Sequence, residues 1–322
     1  AAVRSHAGAQ AERVEMVGAS RPFRKLVEQA RRAAASDAPA VFHGEPGTGK
    51  ALCAHYVHAR SPRALGPLVR VDCRDTDVLE QTLLGRSSRA GVPPLPSALL
   101  RADGGSLLLL HVEHLPHVLA GRLAGLLARK RAPAREGGEE PVDVRLLATA
   151  SAAPRGLVER ARLHEALADR LAGLELELPP LRERRADIPT LFERFAARGA
   201  RASGGAPVVL TPEARQRLVE HAWPHNVREL ELLGEWLARL HAGTELPAAA
   251  LPLELRHEAA VSPSATLQER VARLERELIA EALHAAGGRK ILAARRLGIS
   301  RPTLDKKIEE YGLRVERRRA GA

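Results

Sequence analysis

The residues Gly44-Glu45-Pro46-Gly47-Thr48-Gly49-Lys50 have the types and spacing of a loop that holds phosphate. Glycines let successive backbone N–H groups approach an anion, and a lysine at the end of the loop can reach terminal phosphates. The aliphatic run Ala40-Val-Phe42 precedes the loop and a helix-like run follows it. The loop therefore opens a helix, where the peptide dipoles favour negative charge. The residue after the lysine is Ala51, so the hydroxyl that usually follows is missing. Nucleotide binding is expected from this pattern. The competing reading is a vestigial loop that only shapes the turn.

A second cluster lies near the C-terminus. Ile291-Leu-Ala-Ala-Arg-Arg-Leu297 reads as a short helix, Gly298-Ile299-Ser300 as a tight turn, and Arg301 to Glu310 as a second helix capped by Ser300. Ala293-Ala294 permits close helix crossing, and Ile299 and Leu304 can fill the small core between the helices. This is the grammar of a helix-turn-helix whose second helix enters the major groove. Arg301, Thr303 and Lys306 come early on that helix and can reach base edges or phosphates. Arg289, Lys290 and Lys307 suit phosphate contacts, which add affinity without sequence information. Asp305 either excludes some bases or faces solvent. Upstream, Leu267, Val271, Leu274, Leu278, Ala282 and Leu283 form one apolar stripe. Its length implies that part of it pairs with a second subunit. Gly287-Gly288 ends that helix.

Composition agrees with a nucleic-acid partner. The 322 residues include 50 Lys plus Arg against 39 Asp plus Glu, a formal net charge of +11. Such an excess favours a polyanion, either nucleic acid or an anionic membrane surface. No apolar run is long enough to span a bilayer, and the charged, Ala-rich start is unlike a secretory signal. An aromatic content of 2% argues against reading single strands by base stacking. Cys53 and Cys73 are the only cysteines and lack metal-ligand spacing, so a reduced cytoplasm is the simplest setting. His111, His114 and His117 follow a strand end and a loop, and no metal site is expected there. The chain opens at Ala1 rather than Met, as it would if an upstream segment had been removed.

The elements that must position these clusters follow from periodicity. Ala40–Phe42, Leu68–Val71, Leu107–Leu110, Val144–Ala148 and Leu174–Leu178 have strand length and alternate with helical stretches. That alternation predicts a mostly parallel sheet covered on both faces. Residues 190–245 read as three helices, broken at Gly204-Gly205 and at Trp223-Pro224. Arg131 to Pro141 reads as a polar surface loop. The expected organisation is a lead-in over 1–15, an α/β core over 16–189, a helical lid over 190–248, a linker over 249–265 and the helix-turn-helix domain over 266–322.

Five stretches occur in fixed order: Val17-Gly-Ala-Ser-Arg-Pro-Phe23, the phosphate loop, Ala102-Asp-Gly-Gly-Ser106, Leu178-Pro-Pro-Leu-Arg-Glu-Arg-Arg-Ala-Asp-Ile188 and Trp223-Pro-His-Asn-Val-Arg-Glu-Leu230. Together they resemble the AAA+ module of the NtrC-type activators of sigma-54 RNA polymerase. The C-terminal segment resembles the Fis-type DNA-binding domain of the same activators. The resemblance implies an AAA+ P-loop core with a mostly parallel sheet, a helical lid and an all-α Fis-type domain. It also implies ATP between subunits of a ring, with hydrolysis driving a loop against sigma-54. Val17, Gly18, Gly44, Glu45, Gly47, Thr48, Gly49, Lys50, Ala51 and Arg228 fall on its nucleotide-binding positions.

The chain departs from the family where hydrolysis is performed. That reaction needs a carboxylate pair, one holding Mg2+ and one polarising water. Those positions are Leu110 and His111, and neutral Leu110 cannot help hold Mg2+. Glu113 could turn to the same face if the strand continued, but a surface-loop glutamate is the preferred reading. Asp72 stands for the asparagine after the second core strand, Ser151 for the sensor asparagine and His164 for the first interface arginine. The second interface arginine is retained as Arg170. The family's GAFTGA loop is replaced by Arg86-Ser-Ser-Arg-Ala-Gly-Val-Pro-Pro-Leu-Pro-Ser97, which has no aromatic residue. Groups that act jointly on one reaction are strongly non-additive, so ordinary ATP hydrolysis is not expected. The leading expectation is a regulator that binds ATP and double-stranded DNA, as a dimer through its C-terminal domain or as a larger ring, with RNA polymerase as a further candidate partner. An active ATPase remodelling sigma-54 holoenzyme, and an architectural DNA-binding protein that uses the AAA+ module only to oligomerise, stay open as alternatives.

Overall fold

The computed structural model describes residues 15–86, 94–134, 138–252 and 289–312, with 255, 276, 279, 282, 283 and 286. The chain divides into two compact units, 1–258 and 259–322.

In the first unit, α1 (Arg21–Ala34) leads to β1 (Ala40–His43), α2 (Lys50–Ala59), β2 (Leu68–Asp72), α3 (Thr76–Leu84) and α4 (Ala98–Arg101). Then come β3 (Ser106–Leu110), α5 (His117–Arg129), β4 (Arg131–Pro133), β5 (Glu139–Pro141), β6 (Arg145–Ala150), α6 (Pro154–Glu159), α7 (Glu165–Leu171) and β7 (Leu174–Glu177). The five strands β2-β3-β6-β1-β7 form one sheet in that order, and every pair in it is parallel. Helices cover both faces because the strands are apolar on both. Leu107 and Leu109 join the cluster under α3 to α7, while Leu108 joins the one under α1 and α2. This alternation is the two-residue period of a strand, and runs apolar at every position mark a sheet buried on both faces.

The polar stretch 131–141 is not a plain loop. Its ends pair as the antiparallel hairpin β4–β5, with Arg131 opposite Pro141 and Pro133 opposite Glu139. Ala132 is buried at the hairpin's centre and ties it to the core. Two alanines among charges, glycines and prolines give too weak a period to read as a strand.

The lid follows as α8 (Ile188–Ala202), β8 (Val209–Leu210), α9 (Pro212–Glu220), α10 (Asn226–Leu240) and β9 (Glu245–Leu246). Three helices stand where three were expected, and the short parallel pair β8–β9 is additional. Trp223, fully buried, donates from Nε1 to Leu218 O at 2.8 Å and anchors the turn between α9 and α10. The expected linker starts too early. Leu251 and Leu255 are buried in the lid cluster, so packed chain runs past residue 249 despite the prolines around it. All of 256–275, including Leu267, Val271 and Leu274, lies outside the described residues, as do Leu278, Gly287-Gly288 and residues 87–93 of the segment that replaces the GAFTGA loop.

In the second unit, α11 (Lys290–Arg296) and α12 (Arg301–Glu310) enclose a small core of Ala293, Ala294, Leu304 and Ile308 with Ile279, Ala282 and Leu283. Among the described residues, no helix is long and apolar enough to cross a membrane.

Candidate functional site

The phosphate loop joins β1 to α2 and owes its shape to glycines with left-handed backbone. Gly47 has φ 78° and Gly49 φ 100°. A Cβ on Gly47 would lie 2.0 Å from the carbonyl oxygen of His225, so the lid touches the loop where only glycine fits. Lys50 opens α2, and its ammonium donates to Gly44 O at 2.6 Å and Glu45 O at 2.8 Å. Burial pushes its pKa down, and the charges of Glu113 and Glu45 oppose that shift.

A polar latch holds the lid on this loop. Asn226 is fully buried at the start of α10 with φ 55°. Its Nδ2 donates to Pro46 O at 2.9 Å and Glu45 Oε2 at 3.1 Å, while its Oδ1 accepts from Leu181 N at 2.7 Å. Glu45 also accepts a two-pronged pair from Arg182, at 2.8 and 2.5 Å. The Arg182 hydrogen bonds lower its carboxyl to about 2, helped by Asn226. Arg228 N donates to Gly47 O at 3.3 Å. Asp187 accepts from Ala19 N, Ser20 N and the Ser20 hydroxyl at 2.7, 2.8 and 2.6 Å, which fixes the Val17-Gly18 segment.

The loop thereby separates two parts of one cleft, with Gly49 lining both. The first part is apolar, with Val17, Phe23, Leu26, Leu178 and Val227 in its walls, and suits a base. Arg184 is buried at its edge, donates to Thr48 O at 3.1 Å and lies 5.2 Å over the Phe23 ring. The second part contains Lys50, Ala51, Arg70, Arg74 and Arg228, with Asp72 and Glu229 as its carboxylates. Of the expected nucleotide residues, Val17, Gly47, Thr48, Gly49, Lys50, Ala51 and Arg228 line the cleft. Glu45 is instead spent on the latch. Gly18 shapes the turn, since a Cβ there would meet Phe23 and Asp187 at 2.6 and 2.8 Å.

At the positions where hydrolysis would be performed, Leu110 and His111 line the phosphate part. His111 has a left-handed backbone at φ 56°, and its N–H donates to the Thr149 hydroxyl at 3.0 Å. Burial, reinforced by Arg74 and opposed by Asp72 and Glu113, lowers the imidazole pKa, which favours the neutral ring. Asp72 is bound by Arg74, with Nε to Oδ1 at 3.0 Å and Nη2 to Oδ2 at 2.6 Å. Glu113 is no surface-loop residue. It sits in a 3-10 turn over Val112–His114 with one carboxylate oxygen buried and without a hydrogen-bond partner. β3 ends at Leu110 and the turn begins directly after His111, yet Glu113 stays close enough for its charge to act on Lys50, Arg74 and His111. Ser151 is exposed after β6, and Arg170 is exposed in the last turn of α7. His164 caps α7, its Nδ1 accepting from Ala166 N at 3.2 Å. None of these three lines the cleft.

In the second unit, the Ser300 hydroxyl accepts from Thr303 N at 3.3 Å and lies 2.7 Å from the Thr303 hydroxyl, so both belong to the cap of α12. Arg289, Arg301 and Lys306 are exposed. Lys290 is drawn to Asp305 at 2.7 Å, with Arg301 Nε 3.7 Å from the other carboxylate oxygen. Asp305 therefore steadies two cations, and the Lys290 hydrogen bond holds its carboxyl below the ordinary range. Lys307 lies 5.7 Å over the Tyr311 ring.

Sequence reasoning passed over Asn226, Arg182, Arg184, Asp187, Arg70 and Arg74. The first four lie inside the quoted motifs, and only their burial and contacts across distant chain segments reveal their roles.

The description "Sigma-54 interaction domain" matches residues 16–177, "AAA+ ATPase lid domain" matches 182–268, and "Bacterial regulatory protein, Fis family" matches 270–311. Response regulator protein FleR of Pseudomonas aeruginosa is 35% identical, over 91% of this chain and 70% of its own length. The DNA-binding transcriptional regulator NtrC of Salmonella typhimurium is also 35% identical, over 93% of this chain and 70% of its own. Among solved structures, NtrX from Brucella abortus in complex with ATP superposes with a TM-score of 0.69 at 29% identity, covering 93% of this chain and 69% of that one. With the sheet order, the glycine-shaped phosphate loop, the latched lid and the capped helix pair all in place, these likenesses assign the chain to the NtrC-type family of sigma-54 transcriptional activators.

Proposed function

We propose that the protein is a DNA-binding transcription regulator that binds ATP in the cleft between core and lid and does not turn it over at the family's usual rate. One observation carries the reading: the elements that hold a nucleotide are built, while the positions that would hydrolyse it carry Leu110, His111 and Ser151. Lys50, the N-terminus of α2 and Arg228 supply positive potential at the phosphates, and the apolar part beside Val17 and Phe23 supplies a place for the base. That NtrX from Brucella abortus was solved in complex with ATP supports nucleotide binding. A leucine offers no magnesium ligand, and an imidazole is a nitrogen ligand ill-suited to that ion and lacks the negative charge with which a carboxylate polarises water beside bound triphosphate.

DNA binding rests on α12, where Arg301 and Lys306 are exposed and Ser300 fixes the helix start. A homodimer through the second unit, a larger ring through the first, and contact with RNA polymerase belong to the same reading. The test is ATP binding and steady-state ATPase activity of the purified chain, with and without operator DNA. Binding abolished by Lys50→Ala, without turnover, is the expected result. Turnover that Lys50→Ala abolishes would overturn the non-hydrolysing reading and favour an active ATPase. No ATP binding at all would leave a module used only for assembly.

A further inference from the structure

A P-loop site ordinarily offsets the charge of a triphosphate partly with Mg2+, a hard cation that demands oxygen ligands in near-octahedral geometry. This cleft does not fit that ion. Ala51 has no hydroxyl, Leu110 has no carboxylate, and His111 is a neutral nitrogen ligand poorly suited to magnesium. The lining carries two carboxylates, Asp72 and Glu229. Both oxygens of Asp72 are taken by Arg74, and Oδ1 also accepts the Arg74 N–H at 3.1 Å. Glu229 accepts from His225 N at 3.0 Å and faces His221 Nε2 at 3.4 Å. Among the described residues, no group of three His, Cys, Asp or Glu side chains is placed to hold a metal ion.

What the lining has instead is fixed positive charge. Lys50, Arg70, Arg74 and Arg228 line the cleft against the carboxylates of Asp72 and Glu229, and with the charge of Glu113, which acts on Lys50 and Arg74 from behind the lining, the balance is still positive. Arg74 is placed for this role. It lies two residues beyond the end of β2, lines the same cleft as Lys50 and Leu110, and keeps about half of its side chain exposed, 54%. A guanidinium has about five N–H donors in a planar fork. Asp72 uses two of Arg74's side-chain donors and leaves the others for phosphate oxygens, while holding the fork in one orientation. The substitutions at 51, 72 and 110 thus act in one direction: they remove metal ligands and anchor an arginine.

We infer that the cleft takes the triphosphate of ATP without magnesium, with Arg74, steadied by Asp72, standing in for the metal ion. The inference rests on the proposal that the cleft binds ATP, and it specifies the ligand as the metal-free nucleotide. Magnesium then competes, because Mg·ATP carries less charge for the arginines and brings a hydrated ion that no side chain here can receive.

The test is calorimetric titration of the whole chain with ATP, in EDTA and in excess magnesium chloride. Binding in EDTA at least as tight as in magnesium is expected. Arg74→Ala should weaken binding in EDTA by about 10- to 100-fold, the range for losing charge-assisted hydrogen bonds to phosphate. It also frees Asp72, so magnesium should now strengthen binding and the sign of the metal effect should reverse. Binding of wild-type protein that requires magnesium would overturn the inference and leave the proposed function standing. Absence of ATP binding in both buffers would overturn the proposed function and this inference with it. Should Arg74→Ala fail to fold, the metal dependence of the wild-type chain decides alone, and Arg74→Gln provides the variant arm.

Discussion

Replacing Asn226 tests the idea that one buried amide latches the lid to the phosphate loop. Its side chain is fully buried and makes three hydrogen bonds, to Leu181 N, Pro46 O and Glu45. Removal leaves the buried Leu181 N–H without its acceptor, a loss of about 2 kcal/mol. Pro46 O lies nearer solvent and Glu45 keeps Arg182, so those two bonds together are worth about 1 kcal/mol. Asn226→Gly should therefore destabilise the first unit by about 3 kcal/mol, a drop in Tm of about 6–12 °C for a unit of this size. Asn226→Ala should cost about 1 kcal/mol more, because φ 55° suits Asn and Gly but strains alanine. Urea and thermal unfolding can be followed by fluorescence, since Trp223 is fully buried in the lid. A glycine variant within about 0.5 kcal/mol of wild type would refute the latch. Equal losses for glycine and alanine would refute the backbone part of the reasoning.

Gly47→Ala places a methyl 2.0 Å from His225 O at a left-handed position. It should lower ATP affinity by more than about tenfold, the equivalent of about 1.4 kcal/mol, as measured by titration, because lid and loop cannot close together. Arg301→Ala should cost about 1–3 kcal/mol of discrimination between operator and random duplex in a gel-shift competition. An unchanged preference would remove Arg301 from base reading. Glu45 has a folded pKa of about 2 against an ordinary 4.5, so its contribution is present above pH 4.5 and is lost as pH falls towards about 2. Its pair with Arg182 is more than a third exposed, 38% and 44%, and solvent screening keeps the effect below about 1 kcal/mol. Acid titration of stability should accordingly be shallower between those limits in Glu45→Gln than in wild type.

The sequence by itself determined the architecture and the places of the phosphate loop and the helix-turn-helix in the chain. Strand-length aliphatic runs alternating with helices leave few options besides a parallel sheet covered on both faces, and the phosphate loop must then open a helix. The helix-turn-helix was equally legible, because Ser300, Gly298 and the Ala293-Ala294 pair are local signals whose geometry depends on near neighbours in the chain. The departures at Leu110, His111 and Ser151 are visible in the sequence because each replaces one chemical type by another at a fixed place in a motif, and their effect on turnover is what the ATPase test decides. Tertiary structure decided everything that joins distant segments. Asn226 looks like an ordinary polar residue, and Glu45 like one more member of the phosphate loop, until folding brings them to 3.1 Å across 181 positions. Glu113 looked like a loop glutamate, and only the turn that follows His111 buries one of its oxygens. Arg70 and Arg74 were two more charges in a basic chain until the sheet set the end of β2 beside the phosphate loop, and polarity, charge and reach in a cleft are properties of that assembly rather than of any residue's place in line.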